Sequence, residues 1–195
     1  MRPVLAACSL ATALLLSVPF DSTSLHAAPP TCAGVEATVV GTPDADVLVG
    51  TAGDDVIVGL GGDDLVKAGE GNDFICTDTG NDTIKAARGD DVIFDEGGNN
   101  IIQGGEGNDT IVSGPGDDII RGQDGNDTII DLGGHNILKG DSGDDCLAVY
   151  NDTTSKIDGG LGTDYCCGGS SRVHCEVSLA TCPPISSLPP PCHVP

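Results

Sequence analysis

From Gly41 to Ala148 the chain repeats every nine residues, and twelve consecutive blocks fit the template GGxGxDxUx, with U a large apolar residue, without insertion or deletion. The block at 104–112 reads GGEGNDTIV, the next SGPGDDIIR and the next GQDGNDTII. The fourth place is Gly in eleven of the twelve blocks, Asp44 being the exception, and the sixth is Asp in ten, with Asn100 and Asn136 in the other two. The eighth is Leu, Ile or Val every time. A short period sustained this long demands a solenoid, in which each repeat buries its apolar residue only by stacking on its neighbours.

Each block splits into two parts. Its first six places are rich in Gly, Asp and Asn, the residues that best tolerate positive φ, and read as a turn. The three that follow, such as Val56-Ile57-Val58, are β-branched and read as a short strand. Side chains alternate along a strand, so place eight points one way and places seven and nine the other. Two blocks then make one 18-residue coil with a strand on each side, odd blocks stacking on odd and even on even, roughly 4.8 Å apart. The expected fold is all-β: a parallel β-roll of about six 18-residue coils over residues 41–148, with a thin aliphatic core at place eight.

One inward aliphatic residue in nine is little apolar burial against the entropy of ordering Gly-rich backbone. Charge makes matters worse: 30 Asp and Glu against 8 Lys and Arg leave a formal net charge of −22, most of it stacked in the turns. Such a segment needs a counter-ion. Calcium, a hard cation that takes six to eight oxygens from carboxylates and backbone carbonyls, suits a stack of Asp- and Gly-rich turns.

The template resembles the repeats-in-toxin (RTX), or haemolysin-type, calcium-binding nonapeptide repeat, and the resemblance covers a little over half of the chain. It implies a right-handed parallel β-roll with Ca2+ bound in the turns, the place-six side chains of two turns stacked on one side sharing an ion with glycine-rich backbone carbonyls. Carried over, the ligands are Asp55, Asp73, Asp91, Asp109, Asp127 and Asp145 in the even blocks. In the odd blocks they are Asp46, Asp64, Asp82, Asn100, Asp118 and Asn136, and Asp164 follows in the degenerate remnant Gly159-Gly160-Leu161-Gly162-Thr163-Asp164. Five gaps between six turns on each side allow about ten ions at most. Asn keeps an oxygen but loses the charge, so two classes of site are expected, the even column the tighter.

The outer faces differ. On the even sheet Val58, Cys76, Phe94, Val112, Ile130 and Ala148 lie beside Val56, Phe74, Val92, Thr110, Thr128 and Cys146, an apolar patch rarely left bare. A cover from the same chain, pinned through Cys76 and Cys146, is expected. On the odd sheet Val49, Lys67, Lys85, Gln103, Arg121 and Lys139 hold four of the eight basic residues. This row reads as a solubilising face, the alternative being a site for an anionic polymer. The net charge opposes nucleic acid and acidic membranes as partners.

Residues 1–27 read as a secretory signal peptide, with Arg2, an apolar stretch from Val4 to Phe20, and Leu25-His26-Ala27 before the cut. No other stretch is long enough to span a membrane. Beyond Cys8 the chain has eight cysteines, an even number that in an exported protein reads as four disulfides. Position suggests Cys32 with Cys76, and suggests that Cys146, Cys166, Cys167, Cys175, Cys182 and Cys192 tie the tail to itself and to the last coils. Here the chain departs from the family resemblance, which implies a C-terminal export signal and few cysteines. Residues 28–40 are read as an N-terminal cap, 149–165 as an irregular last coil with the degenerate repeat, and 166–195 as a Cys/Pro-rich tail. Zinc is a weaker reading of His174-Cys175 and Cys192-His193, because no tight CxxC pair is present.

HExxH, GxSxG and a phosphate-binding Gly loop with its Lys are all missing from the sequence, and the Asp residues are committed to the turns, so no enzyme is expected. Place three carries no Thr column of the kind that would suit an ice-binding face. The sequence reads as a secreted, disulfide-braced calcium-binding roll, the ions being structural and coupling folding to extracellular calcium. The alternative is a non-catalytic surface adhesin or a matrix or polysaccharide-binding protein that uses a face of the roll.

Overall fold

The computed structural model describes residues 30–152 and 154–179. The expected signal peptide, Cys182, Cys192 and the Pro-rich end lie outside them. All regular elements among the described residues are β-strands, arranged as two parallel sheets and one small hairpin. The odd sheet stacks Val47–Val49, Leu65–Glu70, Thr83–Arg88, Ile101–Glu106, Ile119–Asp124, Ile137–Ser142, Lys156–Leu161 and Ser171–Val173. The even sheet stacks Val39–Val40, Val56–Val58, Phe74–Thr79, Val92–Gly97, Thr110–Ser113, Thr128–Asp131, Cys146–Val149, Tyr165–Cys167 and Val177–Leu179. The chain passes from one sheet to the other in every block.

The register is the 18-residue coil. Ile102 pairs with Ile84 on one side and Ile120 on the other, and Ile111 with Ile93 and Ile129. All twelve place-eight residues from Leu48 to Leu147 are buried in one continuous core between the sheets. Many strands are longer than the three residues expected. After place nine the chain bends at place one and pairs again at places two and three, so Gly105 lies between Ala87 and Gln123, and Glu106 between Arg88 and Asp124. The tight turn is therefore confined to places four to six.

The stack continues past residue 148. Ile157 pairs with Leu138 and Cys166 with Leu147, at a spacing of 19 instead of 18. The extra residue is taken up between Tyr150 and Lys156, where Asn151 adopts a φ of 61°. About seven coils result.

Both ends are closed by disulfides. The antiparallel hairpin of Thr31–Cys32 and Val35–Glu36 is tied to the even sheet by Cys32–Cys76. Cys32, Val58 and Cys76 are buried there, with Ala37, Val56, Phe74 and Phe94 packed around them. The start of the apolar even face is thus covered by the same chain, as its composition requires. Farther along, Ile130, Cys146, Ala148 and Cys167 form a second buried cluster outside the roll, against Val112, Leu132, Tyr150 and Tyr165. Cys166 joins the core and bonds Cys175, which packs against it, while Cys146 and Cys167 are also disulfide-bonded. The outer face of the odd sheet stays open, with Val47, Ile101, Ile119 and Ile137 exposed. Lys67, Lys85, Gln103, Arg121 and Lys139 pair strand to strand in one row there. Among the described residues no helix is long and apolar enough to cross a membrane.

Candidate metal centre

The turns stack as the strands do, and that brings all place-six side chains into two columns. In the even column the backbone N–H of each place-six Asp donates to Oδ1 of the next: Asp73 to Asp91 at 2.8 Å, Asp91 to Asp109 at 2.9 Å, Asp109 to Asp127 at 2.8 Å, Asp127 to Asp145 at 2.8 Å and Asp145 to Asp164 at 2.9 Å. Glu176 accepts the N–H of Asp164 and ends the ladder. Thr38 donates to Asp55 Oδ1 at its start.

The second oxygen has no such partner. Oδ2 of Asp73, Asp91, Asp109, Asp127, Asp145 and Asp164 is buried without a hydrogen bond. One buried carboxylate oxygen left bare is costly, and six in one column need a physical reason. Four of them lie against the place-one glycine of their own block. A Cβ on Gly104, Gly122, Gly140 or Gly159 would overlap Oδ2 of Asp109, Asp127, Asp145 or Asp164. The same Cβ on Gly104 would meet the Gly122 carbonyl oxygen at 2.9 Å, and one on Gly140 would overlap that of Gly159. Carboxylate and carbonyl oxygens thus converge with no donor to separate them, an acceptor-only cradle that suits a hard cation and nothing neutral. Among the described residues no three His, Cys, Asp or Glu side chains gather as a metal cluster. The cradle is therefore built as much from backbone as from acid.

Burial dominates the electrostatics. It pushes the carboxyl of Asp127 up to about 8 and those of Asp91, Asp109 and Asp145 up to about 7, with the charges of neighbouring carboxylates adding to it and the ladder hydrogen bonds opposing it. Asp73 and Asp164 are raised for the same reason. Asp55 behaves differently: burial raises it, but hydrogen bonds from Thr51 and Thr38 outweigh that and hold it below the usual range. The Thr51 N–H and hydroxyl reach Asp55 Oδ2 at 2.6 and 2.9 Å, and Thr42 does the same for Asp46 at 2.6 and 2.8 Å. Threonine at place two thus satisfies the first carboxylate of each column.

The odd column keeps the Oδ1 ladder, from Asp46 through Asp64, Asp82, Asn100, Asp118 and Asn136 to Ser155 Oγ. Its second atoms differ. Only Asp118 Oδ2 is a buried orphan. Asn100 Nδ2 donates to Asp95 Oδ2 at 2.7 Å, and Asn136 Nδ2 to Asp131 Oδ1 at 2.6 Å. Asp95 and Asp131 stand at place one, where the template has Gly, and are buried. The repeat pattern gave no role to these residues, although the sequence held the signal: the two blocks with Asn at place six are the two with Asp at place one.

Place five was also overlooked. It is Asp or Asn in ten of twelve blocks, and its side-chain oxygen accepts the N–H of the next coil, as Asn108 does for Asn126 at 2.9 Å and Asn126 for Asp144 at 2.8 Å. Places five and six therefore clamp each turn in opposite directions. In the tail, Cys175 is oxidised and His174 meets Asp158 at 2.7 Å, so this His-Cys pair offers no zinc thiolate.

Comparison with curated proteins and with solved structures gave no match. The family model for the RTX calcium-binding nonapeptide repeat, which spans four copies, matches residues 40–75, 77–111 and 112–147. Those stretches make up more than half of the chain, fall on the stacked coils and contain both turn columns; the chain belongs to the RTX calcium-binding nonapeptide repeat family, whose repeats bind Ca2+.

Proposed function

We propose that this protein is an exported, non-catalytic calcium-binding roll whose ions sit chiefly along the even column. The observation that carries this is the run of buried, unpartnered Oδ2 atoms at Asp73, Asp91, Asp109, Asp127, Asp145 and Asp164, the last four against place-one glycines. Calcium supplies there the positive charge that those oxygens lack. Asp55 opens the column, and Asp46, Asp64, Asp82 and Asp118 form a second, weaker class on the odd side. Because the sites exist only when coils are stacked, binding free energy is folding free energy. Extracellular modules bind calcium at about 10⁻⁴–10⁻³ M. Such a chain stays loose where calcium is scarce and folds where it is plentiful. Export is supported by the oxidised state of all six cysteines among the described residues and by the signal-like start of the sequence.

Far-UV circular dichroism of the oxidised protein, titrated with calcium and then chelator, tests this. The expected result is a cooperative, reversible rise in β-structure with calcium and not magnesium, weakened by Asp109→Asn. An unchanged β signal in chelator, or an equal response to magnesium, overturns it.

A second reading, binding of an anionic surface polymer, draws on the row of exposed Lys67 and Lys85 and half-buried Arg121 and Lys139 beside exposed Ile101, Ile119 and Ile137. Arg121 already pairs with Asp141 at 3.1 Å. Retention on acidic polysaccharide that disappears when the four basic residues are replaced by Ser would favour it.

A further inference from the structure

We infer that the odd column contains two places where a hydrogen-bonded Asp–Asn pair, Asp95 with Asn100 and Asp131 with Asn136, stands in for a calcium ion. This rests on the reading that the orphaned carboxylate oxygens of the even column take calcium. In the even column from Asp109 onward the place-six Asp presents a bare Oδ2 toward place one, where no donor of the protein satisfies it. An Asn presents an amide there, with two hydrogens that repel a cation and need acceptors. Those acceptors are present. Asn100 Nδ2 gives its hydrogens to Asp95 Oδ2 at 2.7 Å and to the Gly98 carbonyl at 3.1 Å. Asp95 Oδ1 in turn accepts from the Thr77 hydroxyl at 2.9 Å, so both carboxylate oxygens are taken. The second copy repeats the design: Asp131 accepts from Asn136 Nδ2 at 2.6 Å, from the Gly133 N–H at 3.0 Å and from the Ser113 hydroxyl at 2.9 Å.

The two copies are two coils apart. Thr77 and Ser113, Asp95 and Asp131, and Asn100 and Asn136 are each separated by 36 residues, a longer period laid over the nonapeptide. None of these six residues has an orphaned side-chain atom, in contrast with the even column. The carboxyl group has moved from place six to place one, and the donors that satisfy its oxygens are the protein's own. One edge of the roll is therefore cross-linked by ions and the other, at these coils, by side chains. An ion ladder on both edges would give the two sides equal dependence on calcium; this arrangement keeps the odd edge joined when the metal is withdrawn.

Counting bound calcium by native mass spectrometry on the full oxidised chain tests the inference, comparing wild type, Asp95→Gly and Asp95→Gly/Asn100→Asp. Asp95→Gly is expected to bind as many ions as wild type, because Asp95 holds none. The double variant, which restores the even-column pattern of Gly and Asp, is expected to bind at least one more. Loss of an ion in Asp95→Gly, or no gain in a folded double variant, overturns the inference. In case the double variant fails to fold, the Asn100 and Asn136 side-chain amide protons of calcium-loaded wild type are read by NMR. Exchange slowed at least tenfold relative to an exposed Asn supports the pairing, and exchange at the exposed rate overturns it. A wild type that binds no calcium, with these protons still protected, defeats the proposed function and leaves the pairing standing.

Discussion

Gly107 and Gly53 hold the same place in their blocks but face opposite demands. Gly107 has a φ of +131°, and a Cβ there would overlap the Gly89 carbonyl oxygen one coil earlier. Gly125 lies on Gly107 and Gly143 on Gly125 in the same way, so the turns approach so closely that place four admits no side chain. Gly53 begins the even column, has no coil before it, and a Cβ there meets nothing within 4 Å. Asp44 begins the odd column, which explains why the one exception to the place-four rule stands where it does. Gly107→Ala is expected to lower the stability of the calcium-loaded protein by about 2 kcal/mol or more, from positive φ and overlap together. Gly53→Ala should be neutral or stabilising by up to about 1 kcal/mol. Urea unfolding of both variants in calcium checks the contrast; equal effects would mean that turn stacking does not set the rule. At this scale much was legible. Place six and place eight declare themselves because every copy repeats them. Place one did not, because the pairs Asp95–Asn100 and Asp131–Asn136 occur in only two of the twelve blocks and vanish from a consensus, and Thr77 and Ser113 act one coil away, beyond a nine-residue template.

At the scale of the elements, the hairpin cap shows what periodicity cannot deliver. The need for a cover was readable from the apolar even face, and Cys76 on that face pointed to Cys32. The strands Thr31–Cys32 and Val35–Glu36 are two residues each, too short to carry a pattern. The longer strands of the roll escaped for another reason: places one to three look like turn residues, yet the neighbouring coils offer a ladder to pair with, and tertiary pairing overrides local propensity. The disulfide closes a separation of 44 residues and holds the hairpin over Val58, Phe74 and Phe94. Replacing both Cys32 and Cys76 with Ser is expected to cost about 2–4 kcal/mol. The loss should be local. Hydrogen exchange in calcium should quicken at Val47–Val49 and Val56–Val58 and stay slow at Ile101–Glu106 and Thr110–Ser113, because each coil of a solenoid contacts only its neighbours. Uniformly faster exchange would mean that the cap stabilises the roll as a single cooperative unit.

Over the whole molecule the governing quantity is the net charge of −22 and where it is buried. Burial raises Asp91, Asp109 and Asp145 to about 7 and Asp127 to about 8 in the metal-free fold, while in the unfolded chain they titrate near the ordinary carboxylate value of 3.8. Groups raised on folding bind protons more tightly when folded. They favour the fold fully below the unfolded pKa, and that contribution is lost as pH rises through 7 to 8. With calcium in the even column as proposed above, protons and calcium do the same job there by different means, the first by neutralising each carboxylate and the second by bridging them. Two consequences follow with opposite signs. In chelator, β-structure should increase as pH falls from 8 to 5. The apparent affinity for calcium should fall over the same range, because the ion has to displace protons from Asp91, Asp109, Asp127 and Asp145. Circular dichroism in chelator at pH 8 and pH 5, paired with calcium titrations at both, measures the two together. If the chelated protein is equally disordered at both pH values while its calcium affinity is unchanged, charge repulsion in the even column is not what keeps the metal-free chain apart. The thin aliphatic core at place eight would then be the limiting factor, and calcium would act by ordering the turns instead of by cancelling their charge.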